Sequence, residues 1–369
     1  MRRHRSGALV VVLALAVSLP AGCRRAGPTD GCPPGEVAPV VSGPPPSTPG
    51  TPEALWVADR NGSLRAVDSR TDRLSATIAL RPSVAMLMAA GGGRLFTYAL
   101  DRGDVTVVDP VTARVVGHAG VHAARPFAQN RLVFAHRALW IAQPGRLWRI
   151  SPAARVSSSP LPAGFTPAGL VGDGRWLWLT DGRGLLRVDP AAPAHTVAVP
   201  LAEGVAQLVP GLYASGVNSA TVRRLDPDTG RQVQAVDLGE PVLSLVGSGA
   251  DVWATGTCGT LTRLADRHGV RVSDVSQDLP SVEASGSLWV GDEVRSQVVR
   301  VDAATGAVLA RTPFTAADPD DPAFVLVAGR STIWVVDRHV SRADPATNVI
   351  TRVLPDADPL AVAVAAPPR

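Results

Sequence analysis

Between Ala54 and the C-terminus the chain alternates short apolar runs with polar turns, and the alternation recurs. The segment Leu288 to Gly306, LWVGDEVRSQVVRVDAATG, is one clear copy. It has an apolar run led by Trp289, a polar turn, a second run ending Arg300-Val301-Asp302, and a Thr-Gly turn before the next apolar run. Aligning the leading aromatics gives Trp56, Phe96, Trp140, Trp178, Tyr213, Trp253, Trp289 and Trp334, spaced by 35 to 45 residues. A period near 40 with several strand-length runs per copy predicts an all-β fold, a β-propeller of eight four-stranded blades. Seven blades would result if one irregular unit, 94–137 or 138–174, were absorbed by its neighbours.

Runs such as LWVA (55–58) and WLWL (176–179) are apolar on both faces. That suits a blade sandwiched between two others better than a two-sheet sandwich with one wet face. Gly, Pro or Asp-Pro punctuates nearly every ten residues, which argues against long helices. The turns DPVTA (109–113), DPDTG (226–230), DAATG (302–306) and DPATN (344–348) share one column of the repeat. Asp there caps amides two residues on, Pro suits the first turn position, and Gly or Asn accepts positive φ. These aspartates are expected to shape turns and not to hold metal.

Arginine stands two positions before that Asp in six units, at Arg149, Arg187, Arg224, Arg263, Arg300 and Arg342, with Ala66 and Val107 in the first two. The expected role is structural: the stem packs on an aromatic, or the head pairs with an acid of the next blade. The first unit lacks an innermost strand, whereas PLAVAVAAP (359–367) has the pattern of one and no aromatic run after it. The C-terminal strand is therefore expected to complete the first blade, removing the exposed edges of an open ring.

Residues 1–23, MRRHRSGALVVVLALAVSLPAGC, have a basic start, an apolar run from Ala8 to Leu19 and small residues before Cys23. This is the grammar of a signal peptide, and the run is too short to span a bilayer, which takes about 20 apolar residues. Ending Ala21-Gly22-Cys23, it is similar to a bacterial lipoprotein signal, although Pro20 replaces the usual aliphatic residue and Leu19 comes one step early. That resemblance implies acylation of Cys23 and anchoring outside the cytoplasm; plain secretion is the alternative. Residues 24–53 contain nine prolines and five glycines and read as a semi-extended tether before the 54–369 propeller. With Cys23 acylated, Cys32 and Cys258 remain for one disulfide in an oxidising compartment. Otherwise Cys23 and Cys32 pair locally, or the thiols stay free.

The sequence pI of 9.6 suggests nucleic acid at first sight. Removing Arg2, Arg3 and Arg5 with the leader takes the formal charge from +4 to +1, and the remaining basic residues, all arginine, form no run. No nucleic-acid partner is expected. Nucleophile, phosphate-loop and His-Glu-x-x-His motifs are absent. His118 and His122 lie between units without a helix to present them together, and ADPDDP (317–322) reads as a solvated loop. Neither metal nor cofactor is expected.

Loops following the second strand of each blade gather at one mouth of the ring. They read DRNG (59–62), DRGD (101–104), QPGR (143–146), DGRG (181–184), DEVRS (292–296) and DRH (337–339), with Cys258 in the corresponding loop GTCGT (256–260). The mouth thus carries Arg60, Arg102, Arg146, Arg183, Arg295 and Arg338 beside Asp59, Asp101, Asp181, Asp292 and Asp337. Guanidinium groups there suit a carboxylate or phosphate; a mutually neutralised, hydrated rim is the competing expectation.

Segments such as LWVADRNGSLRAVDSRTDRLSATIAL (55–80) and VRRLDPDTGRQVQAVDL (222–238) resemble the repeats of YVTN/NHL/PQQ-like secreted propellers over essentially all of 54–369. The resemblance implies the architecture and an extracytoplasmic setting. It leaves function between a non-catalytic ligand- or protein-binding module and an enzyme working in the central funnel, such as a streptogramin-lyase-like lyase or a quinone-dependent dehydrogenase. The lyases would bring a His/Glu pair and Mg²⁺, and no such pair stands out here. The leading expectation is a monomeric binding or assembly module, attached to the membrane through lipid alone, that engages an envelope protein or small anionic ligand.

Overall fold

The computed structural model describes residues 13–14, 32, 36–41, 52–122, 130–201, 204–216, 218–247, 252–274, 279–318 and 324–368. Eight four-stranded antiparallel blades follow one another around a ring, a β-propeller, with no helix among the described residues. Blade 2 shows the order from axis to periphery: Met86–Gly91, Arg94–Ala99, Asp104–Asp109 and Arg114–Gly120. Blades 3 to 8 repeat it over 131–160, 169–199, 207–237, 242–271, 281–313 and 325–354. Every leading aromatic falls on a second strand and is buried.

Blade 1 is assembled from both ends of the propeller. Pro359–Ala365 lies antiparallel to Ala54–Asp59, placing Ala365 opposite Ala54, Val362 opposite Val57 and Pro359 opposite Asp59. Ser63–Asp68 and Arg73–Ala79 complete it. The expected closure by the C-terminal strand is thus found, and the two irregular units form no merged blade. A two-residue strand, Leu13–Ala14, pairs with Val362 and Ala361 along the remaining edge of that innermost strand.

Burial falls from the middle of each blade outward. Ala54–Asp59, Ala138–Gln143 and Ser287–Asp292 are buried at every position, whereas the outer strand Arg73–Ala79 is mostly exposed. Six tryptophans, Trp56, Trp140, Trp178, Trp253, Trp289 and Trp334, are fully enclosed between blades. An indole hides roughly 200 Å², worth about 5 kcal/mol at the usual area coefficient, so this column is the strongest cohesive element between neighbours.

The arginine column locks onto it. Each of the six pairs directly across the ladder with its blade's aromatic, as Arg300 does with Trp289. The guanidinium of Arg149 sits 5.9 Å from the Trp140 ring, Arg224 5.7 Å from Tyr213, Arg263 5.6 Å from Trp253 and Arg300 5.3 Å from Trp289. Arg187 stacks 4.5 Å from Trp176, two residues before the aligned Trp178. Four of the heads then reach forward to the turn of the next blade. Arg187 donates to the Asp228 carbonyl, Arg263 to that of Ala304, and Arg300 to the Pro345 carbonyl at 2.7 Å and Asn348 Oδ1 at 3.2 Å. Arg342 crosses the closing seam and grips the Asp72 carboxylate of blade 1 with both Nε and Nη2, the latter at 2.9 Å. Both structural roles expected of this column are present.

The turn aspartates cap as expected. Asp302 Oδ1 accepts the N–H of Ala304 at 3.1 Å and Thr305 at 2.7 Å, and Asp68, Asp109, Asp189, Asp226 and Asp344 do the same in their own turns. Gly306 ends its turn at φ 76°, and a Cβ there would lie 3.2 Å from the Trp253 indole of the preceding blade, so both backbone conformation and close approach select glycine. No helix among the described residues is long and apolar enough to cross a membrane.

Arg300 is 4% exposed and donates to Ser287, Pro345 and Asn348. Arg300→Ala should lower the unfolding free energy by about 2 kcal/mol, the scale of hydrogen bonds made by a charged group. Arg300→Lys should recover little, because the flat fork is what spans the seam. Equilibrium urea unfolding measures both, and a loss inside about 0.5 kcal/mol, the ordinary surface range, contradicts the clasp.

Candidate functional site

The hairpin loops between second and third strands and the connections between blades share one face, the mouth, as the antiparallel order within each blade requires. The aspartates of the second-strand loops bond back to their own surroundings, whereas Asp274, Asp356 and Asp358 on the same face are exposed. Asp59, 1% exposed, accepts Arg65 Nε at 2.6 Å, Ser63 Oγ at 3.0 Å and the N–H of Asp358 at 3.1 Å. Asp292, also 1% exposed, accepts the Arg295 N–H at 3.1 Å, Arg295 Nη1 at 3.2 Å and Gln297 Nε2 at 2.9 Å. Asp181 caps Arg183 and Gly184, Asp337 accepts the N–H groups of His339 and Ala317, and Asp101 takes the Ser83 hydroxyl. These residues hold the loops in place.

The arginines of the same loops divide into two groups. Arg102 is spent locally on the Pro82 and Arg81 carbonyls and on Asp104. Arg146 donates to Ser158 and lies 5.4 Å from the Trp148 ring. Arg295 bridges Asp292 and Asp274, and its hydrogen bond holds the Asp274 carboxyl below the ordinary carboxylate value. Arg60, Arg183 and Arg338 form the second group, though Arg146 and Arg295 are exposed too: Arg60 meets Asp358 at 3.2 Å and Arg338 meets Asp318 at 3.4 Å, with the two guanidinium side chains 54% and 71% accessible. They stand on blades 1, 4 and 8, so they share a face without sharing a pocket.

Cys32 and Cys258 form a disulfide with Cα atoms 5.5 Å apart. It ties the segment before the propeller to the mouth loop of blade 6, where Glu240 also accepts the Cys258 N–H at 2.6 Å and the Thr260 hydroxyl. Residues 36–41 of that segment then lie along the seam between blades 6 and 7. The Ala38 N–H reaches the Arg271 carbonyl at 2.9 Å, Arg311 Nη2 reaches the Ala38 carbonyl at 3.2 Å, and Val40 bridges Val308 in parallel. Ala38 joins the apolar core between the two blades, so this part of the proline-rich segment is docked on the propeller. Cys23 lies outside the described residues, as do Asp320 and Asp321 of the acidic loop.

Several residues not singled out from sequence complete this face. Gln143 donates to the Tyr98 hydroxyl at 2.6 Å and the His122 carbonyl at 2.9 Å while accepting from Trp148 Nε1 at 2.7 Å, which stitches blades 2 and 3 together. Burial pushes the Tyr98 phenol well above its usual range. Between blades 1 and 2 opens a cleft of about 600 Å³ lined by Leu80, Arg81, Thr97, Arg102, Thr106 and His118. Thr97 stands where the other blades carry Val57, Ile141, Leu179, Ala214, Ala254, Val290 and Val335, a departure visible once the strands are aligned. His118 bonds Thr106 at 3.3 Å, whereas the His122 ring packs edge-on against Trp148, so the two histidines engage different neighbours. Among the described residues no group of three His, Cys, Asp or Glu side chains converges to hold a metal ion.

The disulfide closes a loop of 226 residues, for which chain entropy sets a stabilisation of about 5 kcal/mol as an upper scale and 2–4 kcal/mol as the usual range. Cys32→Ser should therefore lower stability by about 2–4 kcal/mol and raise amide exchange at Ala38 and Val41. A non-reducing peptide map without a 32–258 link, or exchange at both amides unchanged by the substitution, contradicts this placement.

No family model matches the sequence, and no curated protein matches it. Among solved structures, apo AztD from Citrobacter koseri superimposes with a TM-score of 0.63 at 12% identity, covering 86% of this chain and 98% of that one. The dihydro-heme d1 dehydrogenase NirN, solved in complex with DHE, gives 0.62 at 15% identity over 92% and 79%. BamB from Moraxella catarrhalis gives 0.54 at 15% identity over 80% and 92%. At these identities the likeness concerns the backbone, and what it shows is that the chain is a β-propeller.

Proposed function

We propose that this protein is a lipid-anchored, extracytoplasmic β-propeller of the YVTN/NHL/PQQ-like kind that acts as a non-catalytic binding or assembly module, engaging its partner at the mouth. The observation that carries this reading is the orientation of charge on that face. Asp59 and Asp292 are buried and consumed in holding their loops, while Arg60, Arg183 and Arg338 extend into solvent. Exposed acids, Asp274, Asp356 and Asp358, accompany these cations, but Arg60 and Arg338 hold theirs only in solvent-exposed pairs, which leaves the guanidinium groups available to an anionic partner. Asp274 and Arg295 satisfy one another in an ion pair, which favours charge on both and supplies no base tuned towards neutral pH.

Anchoring is read from the leader. Its fit to a lipoprotein signal at Cys23 and the disulfide at Cys32, which suits an oxidising compartment, support the same setting.

The test uses the mature protein in native cell envelopes. Replacing Arg60, Arg183 and Arg338 together by Ala should abolish chemical cross-linking at the mouth while leaving the melting temperature within about 2 °C, since exposed ion pairs contribute little to stability. Cross-linking that persists at wild-type yield overturns the mouth as the binding face. Cys23→Ser should release the protein into the medium, and unchanged membrane association overturns the anchor.

A further inference from the structure

We infer that the disulfide turns the arginine-bearing mouth towards the membrane and that Arg60, Arg183 and Arg338 there contact anionic lipid headgroups. The inference rests on acylation at Cys23, the anchoring part of the function proposed above, and adds to it an orientation and a partner.

From Cys23 to Cys32 are nine residue steps, a link of about 30 Å when fully extended. Cys32 is bonded to Cys258, whose Cα lies 5.5 Å away in the mouth loop of blade 6. The mouth is therefore leashed directly to the lipid. Without the disulfide, the first backbone bond to the propeller among the described residues after Cys23 is made by Ala38, fifteen steps along and about 50 Å at full extension. With 36–41 detached as well, the leash runs to Glu53, thirty steps and about 100 Å, and either face can then meet the bilayer.

The height of the wheel makes the short leash directional. A blade-7 strand such as Ser287–Asp292 has six residues and spans about 20 Å, with loops added at each end. To bring the opposite face to the bilayer, the link would have to run outward from Cys258 and then down the full height of the wheel. That consumes nearly all of its contour. With the mouth facing the membrane the same link is slack, which chain entropy favours.

Charge on this face favours a membrane over a small ligand. Arg338 on blade 8 and Arg183 on blade 4 lie across the ring from one another, with Arg60 on blade 1. Three guanidinium groups so dispersed cannot close on one small anion, but they can meet an extended plane of phosphates. Arg60 and Arg338 do have carboxylate neighbours, Asp358 at 65% and Asp318 at 30% side-chain accessibility. Such exposed pairs are weak, but their carboxylates and the exposed Asp274 remain on the face, so the attraction comes from direct guanidinium–phosphate contact and not from the net charge of the rim. Near an anionic surface each arginine adds about fivefold to association, screened by salt.

The experiment uses the mature protein acylated at Cys23, in phosphatidylcholine vesicles with or without phosphatidylglycerol. A fluorescent non-natural amino acid is placed at Val294 in the mouth loop of blade 7, or at Ala304 in the turn at the opposite end of that blade; both are exposed. Energy transfer to headgroup-labelled lipid is then measured. Transfer should be stronger from 294 than from 304, and the contrast should collapse in Cys32→Ser. Equal transfer from both, or stronger transfer from 304, overturns the orientation. Phosphatidylglycerol should increase transfer from 294, and Arg60→Ala, Arg183→Ala and Arg338→Ala combined should remove that increase. Transfer from 294 that ignores phosphatidylglycerol overturns the headgroup contact and leaves a membrane protein as the partner of a membrane-facing mouth. If the anchoring premise fails instead, neither labelled protein floats with the vesicles, a result separate from all of these.

Discussion

The structure depends on blade-to-blade burial that no blade can supply for itself. Each sheet is apolar on both faces, so a lone copy would leave its tryptophan and its aliphatic rows in water. Only a closed ring covers all of them, and closure rests on the antiparallel pairing of Pro359–Ala365 with Ala54–Asp59. That pairing makes the last strand of the chain the innermost strand of the first blade. The closing seam is then held from outside by Arg342 on Asp72 and from below by Glu53, whose buried carboxylate accepts the Arg330 N–H at 2.8 Å and the Thr332 hydroxyl of blade 8.

The arginine column shows how a repeat can combine cohesion with direction. Five of the six guanidinium groups cover an aromatic of their own blade, and the donors of Arg187, Arg263, Arg300 and Arg342 reach carbonyls or an acid of the following one. The contact is therefore head-to-tail around the ring. Blade 1 carries Ala66 and blade 2 carries Val107 at this position, so these two blades send no such arm forward. Blade 2 meets blade 3 with the Gln143 network instead, and the seam between blades 1 and 2 contains the cleft over Thr97 and His118. Where the repeat lapses, individual polar contacts or open space replace it.

This division also explains what could be read from sequence. The aromatic leads, the Asp turns and the strand at 359–367 were legible because each repeats or visibly completes a repeat. The division of labour at the mouth was not, because it depends on which partner each loop finds. Asp59 pairs with Arg65 two strands' ends away in the hairpin and not with its neighbour Arg60, and Asp292 is sealed by Gln297 as well as Arg295. Cysteine counting left several pairings open for Cys32 and Cys258, since their separation of 226 residues gives no local signal; the ring geometry selects one. Composition marked 24–53 as a tether, yet Ala38 enters the core between blades 6 and 7, a contact that a proline-rich segment does not announce. Thr97, Gln143 and Glu53 became visible only against the aligned blades or their spatial partners.

The central claim is that circular closure by the C-terminal strand makes the whole ring one cooperative unit. Native-state hydrogen exchange of the full chain against a chain ending at Pro355 tests it most directly. The account predicts that loss of 356–369 strips protection not only from the second strand of blade 1, Ala54–Asp59, but also from the facing strands of blades 2 and 8, Met86–Gly91 and Val325–Ala328. Protection lost at Ala54–Asp59 alone, with the rest of the ring unfolding at its original free energy, would contradict it.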